Sequence, residues 1–446
     1  MQELLKQMGH EPLPCDRELI AEWFEWYKGK VSSFHDYSQY NGKKKVRRSR
    51  ATLGMAKKVC EDWANLLLNE KVAFSAGSKK MTAAAEEILS RNNFRVKGNQ
   101  LLELTFALGT GAFVEFMEQG RVVVDYIRAD MIYPLTRRNG VVTECAFAAE
   151  KQVGDKTCVY LQVHTLENGT YVIKNRLFDK DTRAPLPLPD GVSADFYTGS
   201  SIPLFQLITP NIVNSANPDS PLGISVFANA VDVLKGVDLV YDSYQNEFRL
   251  GKKRIVVPVG MAQLNCDETG MTPVFDDNDT EFYAFADRNL TDLREINMQI
   301  RASEHTEGLR QSLSLLSDLC GLGADRYRYG DTGLKTATQV ISEESALYQN
   351  LKKHEIVLAK ALTDLICAVL YLSGMTPDPM KVTVDFDDGI IHDREAEFEQ
   401  NLRLVERGIM LPEEFRMWWF QESDEEAEKT VNKVEKVEKA EKAETV

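Results

Sequence analysis

Two short segments carry residue types that catalysis uses, but neither has the spacing that the chemistry requires. His354-Glu355 begins like the HExxH motif of zinc peptidases, yet position 358 is Leu, so the second zinc-binding histidine is missing. Gly330-Asp-Thr-Gly-Leu-Lys-Thr has glycines and a Lys-Thr pair, but its spacing is not that of a phosphate-binding loop. Because GxSxG is also absent and the six histidines are scattered, we predict that the chain is not an enzyme and needs no cofactor.

An acidic cluster at Asp385, Asp387 and Asp388 is the remaining candidate for metal chemistry. Its Asp spacing, and the position of the next Glu, do not match a calcium-binding EF-hand loop. A turn that keeps its carboxylates in water accounts for the same residues, so we predict no metal site. One alternative is kept open: an enzyme that cleaves nucleic acid with a metal ion held on these three carboxylates.

The composition is typical of a soluble globular protein. Of the 446 residues, 43% are hydrophobic and 27% are charged. No apolar run of about 18 residues is present, and the N-terminus lacks the apolar core of a signal peptide. The seven cysteines include no CxxC pair, which favours reduced thiols over disulfides or zinc. We therefore expect a soluble protein that is made inside the cell.

The net charge of −15 argues against a conventional nucleic-acid-binding protein, because affinity for phosphates grows with the number of Lys and Arg contacts. The charge is compatible with a protein past which DNA slides without being held. Basic residues are concentrated at 43–50 and at 249–254. Taken alone, each cluster is interpreted as a solvated or counter-ion-paired surface.

The longest predicted element is a helix that runs from Leu334 to Ser373 without Pro or Gly. At about 1.5 Å per residue, it would be roughly 58 Å long. A glycine-punctuated loop, Gly321–Gly333, precedes it. Such a helix is typical of a large assembly that spans a distance.

The first two predicted helices are amphipathic. One begins at an Asp16 cap and covers 16–28, and the other begins at Thr52. Their apolar stripes are Leu19, Trp23, Phe24 and Tyr27 in the first helix and Leu53, Ala56, Val59, Cys60, Trp63, Leu66 and Leu67 in the second. We predict that both helices pack in the core.

Helices at 81–91 and 97–108 are predicted to lead into strands that end near residue 174. Three dipeptides that favour turns separate these strands: Gln119-Gly120, Asn139-Gly140 and Asn168-Gly169. This alternation of strands and tight turns predicts an antiparallel meander.

A small module is predicted between two helices. The first helix covers 224–250 and the second covers 303–319, with short strands between them. Asp232, Asp238, Asp242 and Glu247 make the first helix acidic. One helix that leads away from the body, a small module and a second helix that returns form a geometry that projects a docking surface.

Four stretches together resemble the portal proteins of tailed bacteriophages, of the type found in long-tailed phages of Gram-positive hosts. They are Trp26-Tyr-Lys-Gly-Lys with the basic loop at 41–48, the helix at 53–70, the segment at 238–255, and Lys335-Thr-Ala-Thr-Gln-Val-Ile-Ser-Glu-Glu-Ser. The similarity covers nearly the whole chain apart from the final tail.

The resemblance implies an α+β portal fold with a helical stem, a small α/β clip, a mixed wing containing the meander, and a helical crown. The implied divisions are wing 1–222 and 334–390, stem helices 223–251 and 303–319, clip 252–302, tunnel loop 320–333 and crown 391–423. The charged repeats at 424–446 have no apolar face, so we expect a disordered tail.

The resemblance also implies a ring, dodecameric in the capsid, that forms the channel for double-stranded DNA in the virion. The implied partners are the terminase large subunit, head–tail connector proteins, and the major capsid and scaffolding proteins, but no membrane. The implied channel residues are Gly321, Gly323, Arg326, Arg328, Gly330 and Gly333, with basic residues Lys252, Lys253 and Arg254 at the stem and clip.

Two interpretations of these features remain open beside the channel. In the simpler interpretation, the loop at 320–333 only joins two packed helices. In the other interpretation, the chain is a minor structural protein of the phage head without a channel role.

Overall fold

The computed structural model divides the chain into two compact units, Met1–Asp385 and Phe386–Val446. It describes residues 1–40, 44–69, 71–153, 156–189, 191–251, 254–258, 264–267, 270–273, 282–285, 294–327, 337–386, 398, 401–405, 407–408 and 410–420. Helices and mostly antiparallel sheets occur together, so the predicted α+β class is confirmed at that level.

Ten α-helices have defined bounds among the described residues. They are α1 Gln2–Gln7, α2 Arg17–Tyr27, α3 Ser32–His35, α4 Met55–Leu67, α5 Lys79–Arg91, α6 Phe94–Leu108, α7 Val231–Leu250, α8 Ala302–Leu319, α9 Ala337–Leu372 and α10 Pro412–Phe420.

The same parts of the chain contain eighteen strands. They are β1 Asp36–Tyr40, β2 Lys45–Ser49, β3 Ala73–Ala76, β4 Gly111–Glu118, β5 Arg121–Arg128, β6 Ile132–Arg138, β7 Val141–Val153, β8 Lys156–Glu167, β9 Thr170–Asp179, β10 Pro185–Leu186, β11 Asp195–Tyr197, β12 Phe205–Ile208, β13 Arg254–Pro258, β14 Leu264–Asp267, β15 Gly270–Pro273, β16 Phe282–Phe285, β17 Arg294–Ile296 and β18 Val382–Asp385.

The predicted meander is present as four consecutive antiparallel strands, β6 to β9, with β10 and β11 added at β9. The hairpin β4–β5 is separate and pairs instead with β12. All three predicted turns form, since Gln119, Asn139 and Asn168 have φ near +50° and each precedes a glycine with positive φ. Local turn chemistry therefore sets the hairpins, whereas the choice of sheet depends on distant strands.

The N-terminal helix α2 buries a different face from the one predicted. Ile20, Trp23 and Trp26 are buried, so of the predicted stripe only Trp23 is in the core. The Asp16 side chain does not cap the helix; it accepts a hydrogen bond from Asn217 Nδ2 at 3.1 Å. Tertiary partners far along the chain thus override the local pattern.

Helix α7 begins at Val231, seven residues later than predicted. The preceding residues instead bond to the end of α6: Val226 N donates to Phe106 O at 2.9 Å, and Gly223 N donates to Thr110 Oγ1 at 3.0 Å. These backbone groups are satisfied outside a helix, which explains the later start.

Helices α7 and α8 pack against each other, and strands β13 to β17 lie between them in the sequence. Arg301 Nε donates to Glu247 Oε1 at 3.0 Å, and His305 Nε2 lies 3.3 Å from the same oxygen. Hydrogen bonding from Arg301 holds the pKa of Glu247 below its usual value. The strand β13 pairs in parallel with β16 and antiparallel with β17.

The long helix α9 is a core element over its C-terminal half. Leu362, Leu365, Ile366 and Leu370 are fully buried, and α9 packs on β4, β12 and β18. The predicted first residues, 334–336, lie outside the described part. The helix therefore contributes to the packing of its own unit, which the interpretation as a spanning rod did not anticipate.

In the second unit, residues 401–405 are helical and α10 begins at Pro412. Gly408, which lies between these two helical stretches, has a φ of +67°. The Phe398 ring packs 4.7 Å from Trp419 and 5.3 Å from Phe415. The predicted tail, 424–446, lies outside the described residues.

A buried carboxyl group in the first unit makes stability depend on pH. Glu115 on β4 is fully buried, and Gln206 Nε2 on β12 donates to its Oε2 at 3.2 Å, while Oε1 has no partner among the described residues. Burial raises the pKa of Glu115 to about 8.

Replacing Glu115 with Gln is expected to raise the free energy of unfolding by roughly 2–4 kcal/mol at pH 8 and to change that free energy little at pH 5. The native state binds a proton at Glu115 that the unfolded state has lost above its ordinary pKa, so native stability falls as pH rises towards 8. Urea unfolding at pH 5, 6.5 and 8 measures this. Glu118→Gln, at an exposed position of the same strand, is the control; a pH-independent difference for Glu115→Gln would contradict the assignment.

Candidate functional site

The predicted loop at 320–333 is described as far as Tyr327; Arg328, Gly330 and Gly333 lie outside the described residues. Its first residues come directly after α8 and are fastened to two other helices. Trp63 Nε1 on α4 donates to Cys320 O at 3.0 Å, and Asn350 Nδ2 on α9 donates to Gly321 O at 3.0 Å. The start of the loop is therefore fixed to the helical core of its unit.

Gly321 and Gly323 both have φ near +79°, in the left-handed region that glycine adopts without strain. A Cβ at Gly321 would lie 3.2 Å from Asn350 Nδ2 and 3.4 Å from Trp63 Cζ2. The Ser317 hydroxyl also donates to the carbonyl oxygen of Gly323. These two glycines therefore serve a packed turn.

Asp62 on α4 is a buried carboxylate on which this turn converges. It lies 2.6 Å from Lys58 Nζ and 3.5 Å from Arg326 Nη2, and it accepts a hydrogen bond from Tyr327 OH at 2.9 Å. Burial, and next the Asp62 charge, raise the pKa of Tyr327 well above its usual value. Arg326, a predicted channel residue, is thus paired within its own chain, with a partly exposed side chain.

Asp62 was not singled out from the sequence, although a signal was present. It lies three residues after Val59 and four before Leu66, which places it on the apolar face of α4. A charge at such a position requires a buried partner. The partner, Tyr327, is 265 residues away and was not visible from local spacing.

Two of the four acidic residues predicted on α7 contact the segment before α4. Asp238 is buried and accepts from Leu53 N at 2.8 Å and from Thr52 Oγ1 at 3.0 Å, and His35 Nε2 lies 3.1 Å away. Asp242 Oδ1 accepts from Ala51 N at 2.9 Å. Asp238 and Asp242 are therefore anchors for the segment before α4.

The basic group predicted at the stem and clip is only partly described. Lys252 and Lys253 lie outside the described residues, and Arg254 begins β13, where it pairs with Ile296 of β17.

His354, the start of the failed zinc motif, is an aromatic core residue. Its ring lies 4.8 Å from Trp63 and 5.0 Å from Phe106, and its Nδ1 accepts a hydrogen bond from Asn211 N at 3.0 Å. Burial, followed by the nearby Lys353 charge, lowers the pKa of His354 to about 4. It therefore joins α4, α6 and α9 through a neutral imidazole.

Across the described ranges, no three His, Cys, Asp or Glu side chains group closely enough to hold a metal ion. Asp385 pairs with Ala73 at the edge of β3, whereas Asp387 and Asp388 lie outside the described residues. None of the helices in the described part of the chain is long and apolar enough to cross a bilayer.

Comparison with protein families gives a match over residues 14–443 to the family described as "Phage portal protein, SPP1 Gp6-like". A comparison with curated proteins found no match. The family match includes all the elements of the first unit from α2 onward and the described helices of the second.

Proposed function

The chain belongs to the SPP1 Gp6-like family of phage portal proteins, which are structural rather than enzymatic, and we propose that it forms a ring-shaped channel at one capsid vertex. Double-stranded DNA passes through this channel during packaging and ejection. The ring is dodecameric in the capsid. The observation that carries the proposal is the family match over residues 14–443.

The packed pair α7 and α8 supports the division into stem and clip. Glu247 near the end of α7 bonds to Arg301 and His305 at the start of α8, so the two helices are joined where the intervening module begins and ends. We assign the helices to the stem (223–251 and 303–319) and the module at 252–302 to the clip. Residues 1–222 and 334–390 are the wing, and 391–423 the crown.

The partners of the ring are derived from the channel role. The terminase large subunit, which supplies ATP chemistry, docks during filling, and head–tail connector proteins replace it afterwards. Major capsid and scaffolding proteins surround the ring in the virion. We further propose that the phage is long-tailed and that its host is Gram-positive.

The tunnel loop at 320–333 contacts the moving DNA through the sequence after the anchored turn. Asp62, Trp63 and Asn350 hold the segment from Cys320 to Tyr327 against the helical core, which supports a fixed base for the loop. Arg328, together with the partly exposed Arg326, touches phosphates without reading bases.

The double substitution Arg326→Ala and Arg328→Ala is expected to lower the DNA packaged per particle about tenfold or more, because every subunit loses both guanidinium contacts to phosphate. Rings should remain intact. Packaged DNA is measured by nuclease protection, and ring formation by negative-stain electron microscopy.

Two variants separate the channel role from folding. Arg326→Lys keeps the positive charge beside Asp62 and should package nearly normally, and Arg91→Ala, at an exposed arginine of α5, is the matched control. Unchanged packaging in the double variant would remove the loop from the proposed mechanism. If packaging fails only in variants that also fail to form rings, both arginines have a structural role instead of a channel role.

A further inference from the structure

The hairpin formed by β1 and β2 presents an exposed basic face. In its register, Tyr40 pairs with Lys45 and Ser38 pairs with Arg47, which places these four side chains on one side. All four are exposed, and Tyr40 is 65% exposed. Among the described residues, neither Lys45 nor Arg47 takes part in an ion pair.

The base of this hairpin is fixed to the body of the first unit. The Arg50 guanidinium lies 4.7 Å from the Phe34 ring and 4.5 Å from the Tyr37 ring, and Arg50 N donates to His35 O at 2.9 Å. Beyond this base, the two strands have little cover from the described rest of the chain. A two-stranded hairpin is only marginally stable in water by itself, so a covering partner would stabilise it.

A second surface of the same chain has the opposite charge. Glu18, Glu22 and Glu25 succeed one another at helical spacing along the outer side of α2, whose other side buries Trp23 and Trp26. Glu18 and Glu22 are exposed, and Glu25 is half-exposed. In the described part of the chain these three carboxylates have no ion-pair partner, and like charges at this spacing disfavour the helix.

We propose that the outer face of the hairpin, with Tyr40, Lys45 and Arg47, docks on the acidic side of α2 in a neighbouring copy of this chain. This inference rests on the proposed ring. Two different patches that meet once per subunit form a heterologous contact, which is the kind that closes a ring. A partner copy also neutralises both patches at the same time.

A second copy fits the hairpin better than DNA does. The whole chain carries a net charge of −15, which opposes the approach of a polyanion and leaves only local attraction. DNA would also leave the acidic side of α2 without a partner, whereas an adjacent subunit satisfies both surfaces.

Charge reversal tests this contact directly. One full-length variant carries Lys45→Glu and Arg47→Glu, and the other carries Glu18→Lys and Glu22→Lys. Each variant alone should require at least about tenfold more protein for half-assembly than the wild type, because like charges then face each other. An equimolar mixture should assemble again, since each reversed patch can then meet a patch of opposite charge.

Native mass spectrometry and negative-stain imaging report the assembly, and the restored mixture shows that both variants are folded. Arg48→Glu, a single charge reversal on the other face of the hairpin, should leave assembly unchanged. Rings that contain both variants are the expected result in the mixture. Higher salt should weaken the wild-type contact.

Three results would overturn the inference. Rings from either reversed variant at wild-type concentration would show that the patches do not meet, while the proposed ring would stand. If rings form normally and only the hairpin variant loses DNA binding, the hairpin binds nucleic acid instead of a neighbouring subunit. A wild-type chain that forms no ring would overturn the ring itself along with the contact.

Discussion

Replacing Asp238 with Ala is expected to lower the free energy of unfolding by about 3–5 kcal/mol. Asp238 is buried on α7 and receives hydrogen bonds from Leu53 N and Thr52 Oγ1, with His35 Nε2 3.1 Å away. Its removal leaves these partly buried donors without an acceptor, and each such loss is costly. The change is measured by equilibrium urea unfolding at a fixed protein concentration.

The control for this prediction lies on the same helix. Asp232 is almost fully exposed beside Lys235, so Asp232→Ala should change stability by no more than about 0.5 kcal/mol. Asp238→Asn keeps one acceptor oxygen for Leu53 N and should be intermediate. Equal effects of the two alanine substitutions would show that the contacts of Asp238 contribute nothing specific.

Replacing Gly109 with Ala is expected to destabilise the protein by about 3–5 kcal/mol, through strain and overlap together. Gly109 ends α6 with a φ of +83°, and a Cβ there would lie 2.6 Å from Gly223 O and 2.8 Å from Ile224 C. Backbone atoms cannot rotate away as a side chain does. The segment that begins at Gly223 would have to move from the end of α6.

Gly120 offers a matched comparison because it also has a positive φ, +75°, but open space where a Cβ would be. Gly120→Ala should therefore cost only about 1–2 kcal/mol, the part due to the left-handed backbone. Urea unfolding of both variants separates strain from overlap. Similar decreases in the free energy of unfolding at the two sites would mean that the backbone at Gly223 moves away from Gly109 at little cost.

Short-range chemistry made several elements predictable. The glycine turns at 119–120, 139–140 and 168–169 need a left-handed backbone that few other residues provide, so the hairpins are determined by the dipeptides. The apolar stripe of α4 is also buried as expected, from Ala56 to Leu67. In both cases the information lies within a few residues of the element.

The anchors of the candidate site depended on long-range partners and were not predictable in the same way. Asp238 meets Thr52 across 186 positions, and Asp62 meets Tyr327 across 265. The acidic pattern of α7 gives no sign that Asp238 is buried, yet it is. The start of α7 was also misplaced, because the backbone at Gly223 to Val226 finds its hydrogen bonds at the end of α6.

The functional proposal has two levels, and they can fail separately. Membership of the phage portal family rests on a match that covers almost the whole chain. The contact between the hairpin and α2 is a statement about which surfaces meet in the ring, and the role of Arg328 concerns the channel wall. If an experiment disproves either of these two proposals, the proposed ring still stands.

Single-particle cryo-electron microscopy of the purified full-length chain most directly tests whether copies of it enclose a channel. We expect closed rings with one axial hole that admits duplex DNA, with α7 and α8 of every subunit arranged around the axis. Particles that are only monomers, or compact oligomers without a central hole, would contradict the proposed function.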